Sequence, residues 1–389
     1  MRVALAAALT LLGSLANAQD TPRATHPTGG LPKELDVDAA RDGAARLLGF
    51  LVTSQNENGS WGNGVLDGPI ELGYSIETYY AWNLAANALA LMALMESEPT
   101  ENHTQALRRG IEWFTSTRIA KRGSDWDSDY MWPALYGTVA MVRALDHEVA
   151  KDAKLRAAIE RRGKEFVAQL VKNQSPLGGW AYYDNRPYTR RATWATSFCT
   201  AAVLPALQRA HEIDWPVDTA VVARAQRYVE RCRLPNGAYE YDLRPIPRVG
   251  GGEEINHVKG SLGRIQVCQW ALHELGSTTV GADDIREGLE RFFEHHKFLD
   301  VARMRPIPHE AYYANAGYFY FFGHYYASKA IQRLPQDERE AWHRRLRPHV
   351  IKAIRANGST SDFLASEYTI VAGTAFAAMT LLNGISATD

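Results

Sequence analysis

Two kinds of helical segment alternate along this chain of 389 residues, and that alternation limits the folds open to it. The first kind has an apolar stripe on an otherwise charged surface and is predicted at 37–54, 103–118, 152–173, 218–233, 283–299 and 336–356. The second kind is apolar nearly all round and is predicted at 74–96, 129–146, 193–211, 255–275, 311–333 and 367–383. A helix without a polar face must be internal, so the pattern predicts an inner ring of helices wrapped by an outer ring.

The predicted fold is therefore all-α, an (α/α)6 toroid of six helical hairpins. The alternative is an open solenoid of the same hairpins, but open arrays usually need polar capping repeats at both ends, and none is evident in the sequence. No linker-like composition interrupts the repeats, so we expect residues 34–389 to form a single toroid domain.

The N-terminus has the composition of an export signal. A basic residue, an apolar run and Ala16-Asn17-Ala18 predict a signal peptide over 1–18, followed by a flexible leader over 19–33 and a periplasmic or secreted protein. An uncleaved anchor is the alternative, but the apolar run is shorter than the ~20 residues of a membrane span. No later segment is expected to cross a membrane.

Charge and cysteine content limit the partners. The net charge of -1 provides no field that favours nucleic acid or an acidic membrane surface. We expect a monomer that binds a small molecule or an oligosaccharide-like ligand, with no integral membrane association. Three cysteines are too few for a disulfide framework, although one bridge is possible.

A phrase rich in Gln, Gly and Trp follows several outer helices. It is "FLVTSQNENGSWGNG" at 50–64 and "FVAQLVKNQSPLGGW" at 166–180, with a weaker copy at 228–241. Gly59, Gly178 and Gly237 are predicted to be left-handed residues that end a helix. Gln55 and Gln174 are predicted to bond exposed backbone, and Trp61 and Trp180 to cover the turn. We interpret the phrase as structural.

The phrase resembles the repeat of squalene cyclases and of the prenyltransferase β-subunit toroid, the prenyltransferase and squalene oxidase repeat. The matching residues are Phe50-Leu51, Gln55, Gly59 and Trp61, and again Phe166-Val167, Gln174, Gly178/Gly179 and Trp180. The resemblance implies an α-α toroid over residues 35–385. It does not imply one activity, because related toroids include cyclases, prenyltransferases, thioester domains and polysaccharide lyases.

In a toroid, the loops that lead from outer to inner helices emerge at one end and surround the central cavity. In this sequence those loops hold most of the acids, arginines, histidines and aromatic residues, so the mouth of the cavity is the candidate site.

A first set of candidates, Glu254, His257, His309, Glu310 and Tyr313, is predicted near the starts of two neighbouring inner helices. Imidazoles beside carboxylates are suited to acid–base catalysis or to binding a metal through His257, His309 and Glu254. The resemblance to protein prenyltransferases implies zinc at such a place, but no Cys stands at the corresponding position here. The alternative is that the histidines cap loops. No cofactor is required by the sequence, and a divalent metal is one option.

The stretch "DWDSDYMW" supplies a second set of candidates, the catalytic acids Asp127 and Asp129, with Asp125 just before them. Clustered carboxyl groups can raise one another's pKa and so keep a proton for donation. Asp127-Ser128-Asp129 resembles the acidic cluster of proton-initiated terpene cyclases, except that Tyr130 stands where the last Asp of that motif would be. The alternative is that these acids only cap the helix start.

Substrate-binding candidates are basic or aromatic. Arginine forks bind carboxylates and phosphates, and aromatic faces stack on sugars or cover apolar ligands. The alternative is that the cations pair with Asp184, Asp242 and Glu253. The candidates are Tyr74, Glu77, Trp132, Tyr183, Arg190, Arg191, Trp194, Tyr241, Arg244 and Arg248.

Three functions fit these observations. We favour an enzyme with lyase- or hydrolase-type acid–base chemistry on an anionic glycan. Isoprenoid chemistry, as a terpenoid cyclase or prenyltransferase, is the second interpretation; the polar mouth argues against it, since carbocation sites are normally apolar and aromatic. A non-catalytic ligand- or glycan-binding toroid is the third.

Overall fold

The computed structural model of the protein describes residues 33–63, 75–124, 126–182, 191–243, 254–363 and 367–386. The chain divides into two units, Met1–Lys33 and Glu34–Asp389. The predicted signal peptide and nearly all of the leader lie outside the described residues. The fold described below is that of the second unit.

Thirteen α-helices are present in the described part of the chain. The amphipathic helices are α1 (Val37–Thr53), α3 (Glu101–Ser116), α5 (Ala153–Asn173), α7 (Thr219–Arg231), α9 (Ala282–Glu294) and α12 (Gln336–Ile351). The apolar helices are α2 (Ile76–Glu96), α4 (Trp132–Asp146), α6 (Ser197–Glu212), α8 (Leu262–Glu274), α11 (Phe319–Ile331) and α13 (Glu367–Ile385). The short helix α10 (Lys297–Ala302) lies between α9 and α11.

The apolar helices form a closed inner ring. Each packs against the next in the order α2, α4, α6, α8, α11 and α13, and α13 packs against α2. The amphipathic helices cover this ring from outside; α5 packs on α4, for example, and α7 on α6. The prediction of an all-α toroid is confirmed.

Polar side chains set the starts of most outer helices. The side chains of Asp36, Thr100, Asp152 and Asp218 each accept a hydrogen bond from a backbone N–H in the first turn that follows. Such N-caps satisfy donors that have no partner within the helix. The inner helix α2 begins in the same way at Ser75.

Several predicted inner helices begin later than expected. The helix predicted at 255–275 starts at Leu262, after a 3-10 turn at Val258–Gly260, and the one predicted at 311–333 starts at Phe319. Left-handed backbone at His309, Tyr313 and Ala314, with φ of 65°, 58° and 51°, prevents a helix there. The helix predicted at 283–299 ends at Glu294, and α10 follows it as a separate helix.

The repeated Gln–Gly–Trp phrase builds the same turn twice. Gly59 and Gly178 have φ of 90° and 109°. Gln174 donates from Nε2 to the carbonyl oxygens of Gly178 and Val221, at 2.6 and 2.9 Å, and Gln55 bonds the matching carbonyls in its own turn. Each Trp ring donates to the carbonyl ten residues before it, from Trp61 to Leu51 and from Trp180 to Leu170. The phrase therefore fastens a loop to its own outer helix and to the next one.

We expect Gly178→Ala to lower the free energy of unfolding by about 2–3 kcal/mol, measured by urea denaturation. A Cβ there would lie 2.5 Å from the carbonyl oxygen of Arg224, and the φ of 109° disfavours any L side chain. Gly49→Ala is the matched control: it lies inside α1, where a Cβ meets nothing within 4 Å, and it should stabilise the protein slightly. Equal effects of the two substitutions on stability would contradict a left-handed, closely packed turn at Gly178.

Cys199, Cys232 and Cys268 are all buried free thiols, and burial raises the pKa of each. The possible disulfide bridge does not form. The segment Tyr368–Ile385 is long and apolar enough to cross a membrane by length and composition alone, contrary to expectation. It belongs to α13, an inner helix of the ring, and 67% of it is buried within the protein.

Candidate active site

A cavity of about 600 Å³ lies inside the ring of inner helices. Its wall combines residues of α2, α4, α6, α11 and α13 with residues of the loops that precede the inner helices, such as Asp129, Tyr182 and His309. Twelve of the 24 described residues in its lining are aromatic: Trp82, Trp132, Tyr136, Tyr182, Phe198, Tyr241, Tyr318, Phe319, Phe322, Phe363, Tyr368 and Phe376. The described wall of the cavity is thus largely aromatic, in contrast to the polar mouth that the sequence predicts.

Asp129 is an acid that faces this chamber. It lines the cavity and is partly exposed, and its backbone is left-handed with φ of 60°. Oδ2 accepts a hydrogen bond of 2.8 Å from Nε1 of Trp82. Burial raises the pKa of Asp129 to about 7, although the Trp82 bond and the charge of Arg122 act in the opposite direction. A proton is therefore held on this carboxyl group near neutral pH.

Asp362 is a second acid on the cavity wall. It lies just before α13, it is 5% exposed, and burial raises its pKa to about 7. The backbone N–H of Phe321 lies 3.4 Å from its Oδ2, and Arg303 opposes the pKa rise through its charge. The cavity therefore holds two carboxyl groups that are largely protonated below neutral pH.

His309 and Tyr318 form a hydrogen-bonded pair in the same wall. The carbonyl oxygen of Ala314 lies 2.7 Å from His309 Nδ1, so Nδ1 carries the hydrogen and Nε2 accepts from the Tyr318 hydroxyl, also at 2.7 Å. Burial lowers the pKa of His309 and keeps the imidazole neutral. Beside it, the hydroxyls of Tyr182 and Tyr241 lie 2.9 Å apart.

Among the predicted site residues that the structure describes, four line the cavity: Asp129, Trp132, Tyr241 and His309. Trp132 stacks near Tyr136 and Tyr182, with ring centroids 5.7 and 6.0 Å away. Trp194, another candidate, contacts the cavity residue Tyr182 edge-on at 5.1 Å.

Asp127 and Glu77 have structural contacts outside the cavity lining. Asp127 accepts bonds of 2.8 Å from the backbone N–H groups of Gly123 and Ser124. Burial raises the pKa of Asp127, but these bonds and Ser75 outweigh it and hold the pKa below its usual value. Glu77 pairs with Arg118 at 2.6 Å, which lowers the pKa of Glu77. Of the two clustered acids, Asp127 shapes the loop and Asp129 faces the chamber.

The set built on Glu254 and His257 also lies outside the cavity lining. Nδ1 of His257 accepts from the backbone N–H of Lys259, and its ring lies 4.8 Å from that of Tyr313. Glu310 is exposed. Glu254, His257 and His309 are all described, and they are not grouped closely enough to hold a metal ion. The chain before α8 and α11 is not α-helical, so the geometry assumed for these residues does not arise.

Of the remaining candidates for substrate binding, the structure describes only Arg191. Arg191 donates from Nη1 to the carbonyl of Gln174 at 3.3 Å and is absent from the cavity lining. The others, together with Asp125, lie outside the described residues: Tyr74, Tyr183, Arg190, Arg244 and Arg248.

Sequence reasoning missed Trp82, Asp362 and Tyr368. Trp82 and Tyr368 stack with ring centroids 4.8 Å apart, which joins the first and last inner helices of the ring across the cavity wall. Asp362 could have been singled out, because it is an acid shortly before an inner helix, as Asp129 is. Trp82 and Tyr368 could not have been singled out, because in the sequence they look like ordinary residues of an apolar helix.

No family model matches the chain, and no curated protein matches it in sequence. Several solved structures match its fold. An α-1,6-mannanase of a Salegentibacter species, in complex with α-1,6-mannotetrose, is 13% identical with a TM-score of 0.56, covering 90% of this chain and 99% of that one. The type II terpene cyclase MstE from Scytonema, in complex with geranylgeranyl dihydroxybenzoate, is 14% identical with a TM-score of 0.52, covering 90% and 98%.

An unsaturated glucuronyl hydrolase from a Bacillus species is also similar in fold. It is 12% identical with a TM-score of 0.53, and the match covers 89% of this chain and 96% of that one. The chain thus has the α/α-toroid fold shared by terpene cyclases and by enzymes that act on glycans, as the resemblance of its repeats predicted. At this level of identity the similarity is one of fold.

Proposed function

We propose that the protein is a proton-initiated cyclase that acts on an isoprenoid polyene in the central cavity, with Asp129 as the acid. The observation that carries the proposal is a carboxyl group with its pKa raised to about 7 facing a cavity whose wall is half aromatic. Such a cavity suits an apolar ligand, and its volume of about 600 Å³ is that of a small-molecule site.

The first step is protonation of a double bond. Oδ2 of Asp129 is engaged by Trp82, so the proton sits on the other oxygen. That O–H bond breaks, and the π electrons of a terminal alkene form a new C–H bond with the proton. The raised pKa keeps the donor largely protonated below about pH 7, and the aromatic lining limits the water that could capture the cation.

The next steps move and then remove the positive charge. The π electrons of a neighbouring double bond attack the carbocation and form a C–C bond, which closes a ring. Trp82, Trp132 and Phe198 line the space in which this charge moves, and aromatic rings attract cations. Loss of a C–H proton then forms the final double bond, so the product is an isomer of the substrate.

The Tyr318–His309 pair is suited to take that last proton. The Tyr318 oxygen accepts the substrate proton while its own hydrogen passes to Nε2 of His309, 2.7 Å away. Because His309 is neutral before this step, it has the capacity to receive the proton. The cycle ends when the proton returns to Asp129.

The fold supports this reading, since MstE, a type II terpene cyclase, has the same fold and binds a geranylgeranyl compound. The stretch Asp127-Ser128-Asp129 also resembles the acidic motif of such cyclases. Tyr130 replaces the last Asp of the motif, and it is 8% exposed and packs into the core.

Hydrolase- or lyase-type chemistry on a glycan is the second candidate. Asp129 and Asp362 supply two carboxyl groups in one cavity, as glycoside hydrolysis requires, and the Tyr318–His309 pair is suited to proton abstraction. The idea that the glycan is anionic depends largely on Arg190, Arg244 and Arg248, which lie outside the described residues.

The test is product analysis with both classes of substrate. The purified chain is incubated with farnesyl and geranylgeranyl compounds, and separately with α-mannan and unsaturated uronide oligosaccharides. We expect cyclised isomers of unchanged mass by chromatography with mass detection, and no new reducing ends. Glycan cleavage without isomer formation would replace the cyclase by the second candidate.

A further inference from the structure

Three buried histidines meet on the side of α11 that faces away from the cavity. His296 precedes α10, His324 lies in α11 and His349 lies in α12, and their exposed fractions are 3%, 0% and 4%. One ring nitrogen of each lies within 4.8 Å of those of the other two. Phe322, two residues before His324, lines the cavity, whereas none of the three histidines does.

The hydrogen bonds of two of these rings fix where their free lone pairs lie. His324 Nδ1 is 2.6 Å from the carbonyl oxygen of Tyr320, so Nδ1 carries the hydrogen. His296 Nδ1 is 2.9 Å from Oδ2 of Asp300, so it carries the hydrogen as well. In the neutral rings both Nε2 atoms are therefore acceptors, yet they face each other at 2.9 Å.

Two acceptors that face each other need a cation between them, either a proton or a metal ion. The third ring favours the metal: Nδ1 of His349 is buried and has no hydrogen-bond partner among the described residues. A proton shared by His296 and His324 leaves that nitrogen unsatisfied, whereas a metal ion engages all three rings.

The surroundings of the rings are those of metal ligands. A histidine that binds a metal through one nitrogen almost always donates its other N–H to a carboxylate or a backbone carbonyl, and Asp300 and Tyr320 occupy these positions. Asp300 is itself held by Nζ of Lys352 at 2.9 Å. Zinc–nitrogen bonds of about 2.0–2.1 Å place two ligand nitrogens roughly 3.3 Å apart in a tetrahedral site. The two Nε2 atoms need to separate by less than half an ångström.

We propose that His296, His324 and His349 form a binding site for a first-row divalent transition metal, with zinc as the ion to test. The ion joins the segment that precedes α10 to α11 and α12, and it stabilises this side of the toroid. Three neutral imidazoles suit zinc, copper and nickel better than calcium or magnesium. The metal site is separate from the proposed active site, and this proposal does not depend on the proposed cyclase function.

The experiment measures metal content and thermal stability of the full chain, purified without a histidine tag. The protein is stripped with a chelator, dialysed, given one equivalent of zinc, and analysed by elemental mass spectrometry and thermal unfolding. We expect one bound zinc per chain and a higher Tm after zinc addition.

Asparagine variants keep the folding contacts but remove a ligand. In His324→Asn and His296→Asn the amide can still donate where Nδ1 donated, to Tyr320 or Asp300, while Nε2 is lost. Each should bind no stoichiometric zinc and should show no rise in Tm on zinc addition. Asp300→Asn should weaken zinc binding about 10–100-fold. His273→Asn, at a partly exposed site near the end of α8, should bind zinc as the unaltered chain does.

Two results would overturn the proposal. One is unaltered protein that retains no zinc after addition and shows no change in Tm. The other is zinc binding by His324→Asn and His296→Asn that equals that of His273→Asn. Either result would leave a protonated His296 between Asp300 and His324 as the explanation of the short Nε2 contact.

Discussion

Replacing Asp129 with asparagine is expected to lower the rate of product formation by about 10²–10⁴-fold, because the amide has no proton to donate. Asn can still accept the hydrogen bond from Trp82 through its carbonyl oxygen, so the cavity should keep its shape. In the unaltered protein, turnover should fall as the pH rises through about 7, where Asp129 loses its proton. The measurement is the initial rate of isomer formation as a function of pH.

The control for this prediction is Asp127→Asn. Asp127 binds backbone N–H groups outside the cavity lining, so this substitution should affect thermal stability more than the catalytic rate. Turnover that survives in Asp129→Asn, with its decline near neutral pH unchanged, would assign the proton to another group. In that case Asp362→Asn would identify it.

Replacing Asp362 with asparagine is expected to stabilise the protein at about pH 8 by up to ~4 kcal/mol and to have little effect near pH 4. Burial raises the pKa of this carboxyl group from 3.8 to about 7. Between these values the unfolded chain releases the proton while the folded chain retains it. The Asp362 contribution to the free energy of unfolding is therefore fully present below pH 4, declines as the pH rises, and is lost above about pH 7. Asparagine removes this cost and can still accept from the backbone N–H of Phe321.

Urea denaturation across this pH range provides the test. Asp42→Asn, an exposed substitution on α1, should leave the pH dependence unchanged. Asp129 contributes a pH dependence of the same sign, so Asp362→Asn should reduce the total and not abolish it. A variant that is no more stable than the unaltered chain at about pH 8 would show that the folded protein accommodates the Asp362 charge.

The toroid could be predicted because its signals are local. The second helix, "IETYYAWNLAANALALMALME", is apolar on every side, and such a helix must lie inside the protein, as it does in the inner ring. Gly59 and Gly178 could also be predicted, since the turn follows from the phrase around each glycine. Asp129 could be found because a short acidic motif marks it.

The aromatic lining of the cavity could not be predicted. A sequence shows which loop residues are charged, but it does not show the residues with which they pair. Glu77 was assigned to the cavity but pairs with Arg118 outside its lining. The aromatic wall comes from separate inner helices, as Trp82 and Tyr368 show, and each of those residues looks like ordinary core. The inner helices were also extended too far toward their N-termini, which placed His257 and Glu254 in the wrong geometry.

The histidine cluster was missed for a related reason. His296, His324 and His349 lie at least 25 residues apart along the chain and in three different segments. None has the close spacing by which metal sites are usually recognised in a sequence. Only the packing of α11 against α12, with the segment before α10 beside them, brings the rings together.

The packing of α13 against both α1 and α2 has a consequence for how the protein is made. In a linear array of repeats each added unit completes the previous one, and early units can fold while later ones are still being synthesised. Here the first two helices both pack against the last helix of the ring. The cavity wall that Trp82 and Tyr368 build together can therefore form only after α13 has been synthesised, and any activity of this chamber begins only then.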